Sequence, residues 1–247
     1  MLAADTIPVH HSEGVAFGFL VMRDLEGHTI AYGTLKQVVK PGDPVLTDDV
    51  QFQFKDGSYY RDITKFTQRE TFRLVSDHVV QKGPSFKKQS ESWIDVRSGK
   101  IAVRDLNKGK QTTKQMPLPA DISNGLLFIL VKNMDPSNPE TTVSMVAASD
   151  KPRVVKLVFS PAAEKTVKVG TLEFKAQHYV MKVKIEGVVG KVAPLLGKQP
   201  PDSHFWILKS ESPTFIEFEG PLTADGPVCR IELAAPEGDA RQTSQQK

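Results

Sequence analysis

Short runs in which apolar and polar residues alternate, nearly all closed by glycine or proline, constrain this chain more than any other feature. Gln51-Phe52-Gln53-Phe54 leads into Asp56-Gly57, a strong hairpin signal. Over 181–186, Met181, Val183 and Ile185 share one phase and charged residues take the other. Runs of this kind read as strands over 15–23, 29–39, 59–67, 71–81, 92–97, 100–105, 142–148, 154–159, 166–174, 205–209, 214–219 and 228–233. The 17 glycines and 17 prolines punctuate them, as in Glu26-Gly27, Pro41-Gly42-Asp43-Pro44, Lys82-Gly83-Pro84 and Ser98-Gly99. Hairpin-length links between about a dozen strands predict an antiparallel meander. No stretch alternates strand with long helix, which argues against a parallel α/β fold.

Composition narrows the function classes. At 39% hydrophobic and 25% charged residues, the chain is too apolar for disorder. Its longest apolar run, Leu126 to Val131, is six residues, where a membrane helix needs about 20, so no membrane span is expected. A net charge of +3 is too balanced to argue for a nucleic-acid partner. The single cysteine, Cys229, excludes a disulfide framework and reads as a small buried hydrophobe in Pro227-Val228-Cys229-Arg230-Ile231. Met1-Leu2-Ala3-Ala4-Asp5 lacks the basic and apolar regions of a signal peptide. Small residues before a polar start read either as a mature secreted chain carrying an initiator Met or as a cytosolic chain that simply starts this way.

Two segments depart from the strand pattern. Residues 121–134 follow Pro117 and Pro119 and stop before Pro136. They are expected to form one helix, with Asp121 as N-cap and Lys132 where a C-terminus favours positive charge. Apolar all round in its middle, that helix is expected to be buried on most sides. Residues 188–197 read as a short helix or lid-like turn. The organisation expected is an N-terminal extension over 1–12, one domain over 13–236 and a flexible tail over 237–247. The fold class expected is mainly β: a large antiparallel curved sheet or open barrel wrapped around one buried helix.

Strand phases suggest where a ligand could sit. Val15, Phe17, Phe19 and Val21 share one phase and Ala16, Gly18, Leu20 and Met22 the other, so this strand is expected to be covered on both sides. Tyr60 and Phe66 share a phase with Asp62 and Thr64, and Trp93 lies among Glu91, Asp95 and Arg97. In 197–208, His204, Trp206 and Leu208 share a phase. That segment reads either as a rim with a stacking aromatic and a titratable group, or as a rigid loop locking a strand buried on both faces.

Enzyme signatures are sparse. The chain has no Gly-x-Ser-x-Gly elbow and no glycine-rich phosphate loop. Its six histidines (His10, His11, His28, His78, His178 and His204) form no zinc spacing. No metal and no cofactor is expected. A carboxylate pair stays open, because geometry decides which of 29 acidic residues meet.

Three groups of motifs carry a resemblance. Asp56-Gly57-Ser58-Tyr59-Tyr60-Arg61, with Thr67-Gln68-Arg69 and Phe72-Arg73-Leu74-Val75-Ser76-Asp77-His78, resembles an uncharacterised family of secreted bacterial all-β domains. Leu118-Pro119-Ala120-Asp121-Ile122-Ser123-Asn124-Gly125-Leu126 is similar to the same family, as are Gly197-Lys198-Gln199-Pro200-Pro201-Asp202 and Gly226-Pro227-Val228-Cys229-Arg230-Ile231. The layout, a sheet curled around a helix, is similar to periplasmic lipoprotein carriers and lipid-binding half-barrels. The resemblance implies a periplasmic or secreted setting and no assigned catalytic residue.

The leading expectation is a non-enzymatic binding protein that holds a hydrophobic small molecule or lipid against the concave face. Its candidate ligand-binding residues are Tyr60, Arg61, Trp93, Phe128, His204 and Trp206. One alternative is an envelope interaction or scaffold module with a filled core and an envelope protein as partner. The other is a hydrolase of envelope lipid or glycan.

Overall fold

The computed structural model describes residues 5–169, 172–184 and 200–234. The predicted segment 188–197 and the tail 237–247 lie outside these residues. The first half of the chain supplies strands β1 (Ala16–Arg23), β2 (Thr29–Val39), β3 (Val45–Phe54), β4 (Tyr59–Gln68), β5 (Phe72–Lys82), β6 (Ser90–Asp95), β7 (Lys100–Asp105) and β8 (Gln111–Gln115). Helix α1 (Leu127–Lys132) follows. The second half supplies β9 (Thr141–Ala147), β10 (Arg153–Val169), β11 (Leu172–Lys184), β12 (Ser203–Leu208), β13 (Thr214–Pro221) and β14 (Val228–Leu233).

All fourteen strands belong to one antiparallel sheet, ordered β8-β7-β6-β5-β4-β3-β2-β1-β14-β13-β12-β11-β10-β9. Two meanders therefore leave a central seam in opposite directions. The seam joins the first strand to the last, with Leu20 opposite Leu233 and Met22 opposite Ile231. β8 and β9 are the two edges and do not pair, so the barrel stays open along one line. The expected curved sheet or open barrel around a buried helix is what forms.

To pass from one edge to the other, the chain crosses the interior between β8 and β9, carrying α1 with it. Leu126, Ile129, Leu130 and Val131 are buried there. Phe128 packs edge-on against Phe205, Phe215 and Phe218, with ring centroids 5.8, 4.7 and 5.6 Å away. Burying side chains of this size contributes about 1.5–3 kcal/mol each, so the plug is held mainly by its apolar wall. Tyr179 donates its hydroxyl to the Met134 carbonyl at 3.0 Å and anchors the exit.

The helix is shorter than the expected 121–134, and Asp121 is not its N-cap. Leu126 occupies that position without a side-chain cap. The preceding residues are taken by the edge of β9: Ser123 N–H donates to Ser144 O at 2.9 Å, and Ser144 N–H donates to Asp121 O at 3.3 Å. Asn124 imitates a strand with its side chain, accepting from Val146 N–H at 2.8 Å and donating to Val146 O at 3.0 Å. Asp5 does the same for Thr142 through its own N–H and a carboxylate oxygen. Gly125 then turns the chain into the helix at φ +69°, where a Cβ would run into Thr64 and Asp77. Lys132 does sit in the last turn, and its ammonium pairs with Glu13 at 2.5 Å.

Residues 5–13 lie across one end of the barrel. Ile7 is buried, Pro8 bridges to Thr71, and Asn133 Oδ1 accepts from the N–H groups of His10 and His11. Two further expectations change. The segment 166–174 is not one strand but the end of β10 and the start of β11. The outer face of β1 is not covered: Val15, Phe17 and Phe19 are 79, 63 and 60% exposed, beside exposed Tyr32. Alternation gave the two phases of β1 but could not say that the sheet had nothing to pack outside it.

Asn124→Ala removes both bonds that cap Val146. Unpaired groups at a half-buried edge cost about 1–3 kcal/mol. The expected result is a lower urea midpoint and faster hydrogen exchange at the Val146 amide, with β5 amides unaffected.

Candidate functional site

The barrel end opposite residues 5–13 is formed by hairpin ends, and it holds an apolar pocket of about 410 Å³. Met22, Thr29 and Ile30 come from the β1–β2 hairpin, and Phe54, Lys55 and Asp56 from the β3–β4 hairpin. Ser85 and Phe86 come from the β5–β6 loop, Leu222, Thr223, Gly226 and Pro227 from the β13–β14 turn, and Cys229 from β14. Met22 and Cys229 are buried, so the floor reaches the core. Burial pushes the Cys229 thiol up to about 11, which makes it an apolar lining group and not a nucleophile. A recess of about 430 Å³ between Val96–Gly99 and Gln115–Leu118 is lined mainly by polar surface and lies on the exterior.

The β5–β6 loop shapes one wall. Phe86 folds inward, edge-on to Phe54 at 5.3 Å and 6.5 Å from Tyr60. Gly83, at φ +110°, lets the loop back onto Ser58. Ser85 N–H donates to Ser58 Oγ at 2.9 Å, and Ser85 Oγ donates to Asp56 at 2.7 Å. Across the opening, Lys88 pairs with Asp225 at 2.7 Å, tying this loop to the β13–β14 turn. Both side chains are exposed, so this clasp is a weak one.

Deeper in, the wall opposite Phe128 is acidic. Asp48, Asp62 and Asp77 point inward from β3, β4 and β5, with Thr64 donating to Asp62 or Asp77 at 3.1 and 3.3 Å. Burial pushes the Asp62 and Asp77 carboxyls up, and the charge of Asp62 raises Asp77 further. Two carboxyl groups this close in a dry wall oppose each other's ionisation. Tyr60 also bonds Asp62 and is itself raised by burial. Asp48 has a buried Oδ1 with no hydrogen-bond partner among the described residues, and burial together with Asp62 and Glu13 pushes it up to about 7, against the opposing charge of Lys132. This cluster lies beneath Gly125 and α1.

The six residues singled out from the sequence do not converge. Tyr60 faces inward behind Phe86, and Phe128 is packed within the plug. Arg61 faces outward, bonded to both oxygens of Asp49 at 2.9 and 2.6 Å. Trp93 is outside too, stacked on His78 at 5.1 Å, while His78 bonds Glu91 at 2.9 Å. His204 and Trp206 share the outer face with His178, which stacks on Trp206 at 4.7 Å and lies 3.0 Å from His204. Lys165 sits 4.0 Å from the Trp206 ring centre and pairs with Glu217. Burial, His204 and Lys165 lower the His178 pKa.

Sequence reasoning missed Phe54, Phe86 and Leu222, whose common destination depends on three separate turns. It also missed Asp48 and Asp77, although Asp62 and Thr64 had stood in phase with Tyr60 and Phe66. On the exposed β1–β2 turn, Asp24, Glu26 and His28 bring ligand atoms within 4.8 Å of one another. Surface turns form such groups without an ion.

An Asp48 carboxyl raised from 3.8 to about 7 means the folded chain holds a proton that the unfolded chain has lost. Stability contributed by this proton is complete below about pH 4, falls as pH rises, and is gone above about pH 7. The change is on the order of 4 kcal/mol at 1.36 kcal/mol per unit. Asp48→Asn is expected to raise Tm at pH 8 and to flatten the decline in Tm between pH 4 and 8; thermal melts across that range check it.

No protein-family model matches this chain, and no curated protein matches it. Among solved structures, it is similar to a beta-barrel-like protein of domain of unknown function DUF1849 from Brucella abortus. The identity is 11% and the TM-score 0.49, over 94% of this chain and 98% of that one.

Proposed function

We propose that this protein is a non-enzymatic binding protein that holds a small hydrophobic ligand in the pocket at the barrel mouth. The observation that carries this reading is the pocket itself: about 410 Å³, apolar, and floored by Met22 and Cys229. Binding sites for small molecules commonly have this size and lining. Each methylene buried there contributes about 0.8 kcal/mol. The lumen, by contrast, is occupied by α1, so the ligand site proposed is the mouth and not the concave face as a whole.

A second reading, an interaction module, has one specific observation in its favour: the bare outer stripe of Val15, Phe17, Phe19 and Tyr32. The hydrolase reading finds its acid pair, Asp62 and Asp77, beneath the plug. The proposed setting is the bacterial envelope; what supports it is the resemblance of the sequence motifs, and cell fractionation tests it. No helix among the described residues is long and apolar enough to cross a membrane.

Native mass spectrometry of protein taken from cells is expected to show a co-purifying apolar ligand, and a fluorescent alkyl probe is expected to bind. Leu222→Trp should fill the pocket and weaken probe binding by tenfold or more, roughly the loss of two methylenes, with little change in Tm. Phe128→Ala should instead cost about 3–5 kcal/mol of stability and leave probe binding intact. A protein that binds no probe and carries no ligand contradicts the reading.

A further inference from the structure

We infer that β8 is a docking edge, where an extended acidic segment of a partner protein adds itself to the sheet as a further strand. The inference is independent of the mouth pocket.

The two edges of the sheet are left in different states. The backbone of β9 is met by Asp5, Asp121, Ser123 and Asn124, whereas no strand among the described residues pairs with the far side of β8. The ladder between β7 and β8 runs without a bulge from Lys100 opposite Gln115 to Arg104 opposite Gln111. Its phase is set by the bonds at its ends, Met116 N–H to Gly99 O at 3.0 Å and Asp105 N–H to Lys110 O at 2.8 Å. Bonded residues alternate in an antiparallel pair. Thr112 and Lys114 therefore turn their backbone groups to β7, and Gln111, Thr113 and Gln115 turn theirs outward. These last three residues are exposed. A sheet edge is ordinarily guarded by proline, a bulge or a lysine. β8 has no proline and no bulge, and its one lysine, Lys114, is drawn away to Pro152 O at 3.0 Å.

Charge names the partner. Over residues 95–118, six basic residues stand against two acids, Asp95 and Asp105. Arg97, Lys100, Arg104, Lys108, Lys110 and Lys114 are all exposed. Residues directly opposite each other in a sheet share a face. Those of an added strand that exchange bonds with Gln111, Thr113 and Gln115 therefore present their side chains on the face of Lys100 and Arg104. Glutamates at these alternate positions meet both cations while the backbone completes the ladder. A nucleic acid or an anionic lipid surface would meet the charge, but neither has a peptide backbone to continue the sheet.

The probe is a fluorescein-labelled peptide, Glu-Val-Glu-Val-Glu-Val-Glu, titrated against the full chain by anisotropy at low and high salt. Methylating its glutamate nitrogens should weaken binding by roughly tenfold or more, the loss of more than one backbone bond. Methylating its valine nitrogens, which point away from β8, should leave binding as it is. Binding should slow hydrogen exchange at the Gln111, Thr113 and Gln115 amides and spare Thr112, already bonded to β7. Thr113→Pro removes only an outward N–H, a change an edge strand tolerates, so it should abolish binding with Tm unchanged. Lys100→Gln with Arg104→Gln should cost about fivefold at low salt, the size of two exposed pairs, and less at high salt. If both methylated peptides bind as the parent does, strand addition is wrong. The same holds if an oligothymidylate displaces the peptide and Thr113→Pro changes nothing, which would make the surface a general polyanion site. Absence of any binding by the parent peptide overturns the inference outright.

Discussion

An antiparallel sheet that stops short of closure has two edges to hide, and the rest of this structure depends on how β9 is hidden. A free edge is a row of unpaired backbone groups ready to take another strand. Here the groups of Thr142, Ser144 and Val146 are met in turn by Asp5, by Asp121 and Ser123, and by the side chain of Asn124. All of these but Asp5 belong to the segment that crosses the lumen. Sealing the edge therefore brings α1 inside, and α1 inside fills the space a half-barrel carrier would leave for its cargo. The other edge, β8, needs less: it is five residues long, polar and mostly exposed.

The plug meets two unlike walls. On one side, Phe128 packs among aromatic rings; on the other, Gly125 and Lys132 lie against carboxyl groups. Apolar contact supplies the attraction, and the acidic wall is tolerable because its charges are reduced. Burial and the charge of Asp62 push the Asp77 carboxyl up, Asp48 is pushed up to about 7, and Lys132 offsets Glu13. Four acids and a lysine in a low-dielectric interior would not persist fully ionised. The same reasoning separates the interior from the mouth, where charges are exposed and weakly coupled.

Much of the fold was legible in the sequence because period-two alternation and turn chemistry are local. The hairpin at Asp56-Gly57 forms with Gly57 at φ +84°, and strands 29–39, 100–105 and 228–233 keep their expected limits. What alternation cannot give is which phase points inward. His204 and Trp206 share one face, yet that face is the outer one, because Phe205 meets the plug and Ile207 is buried beside it in the core. The pairing of Tyr60 and Phe66 with Asp62 and Thr64 looked like an indecisive strand. It was instead a direct record of a core with acids in it. The helix came out short because Asp121, its expected cap, and Asn124 after it had a competing strand edge to satisfy. The mouth pocket was the least legible element, since four turns that are remote in sequence converge to make it.

The β1–β14 seam has a consequence for how the chain reaches this state. Every other strand pair joins strands consecutive in sequence, so each half can zip up hairpin by hairpin from local contacts. The seam joins the two ends of the chain, a loop closure of the greatest length the molecule offers. It can form only after both ends have been synthesised. Until then, the inner face of each half-sheet is open, and the crossing segment between them has one wall to lean on. The sheet is thus two meanders of local pairings joined by one long-range pairing, and the cost of closing that loop falls on the seam alone.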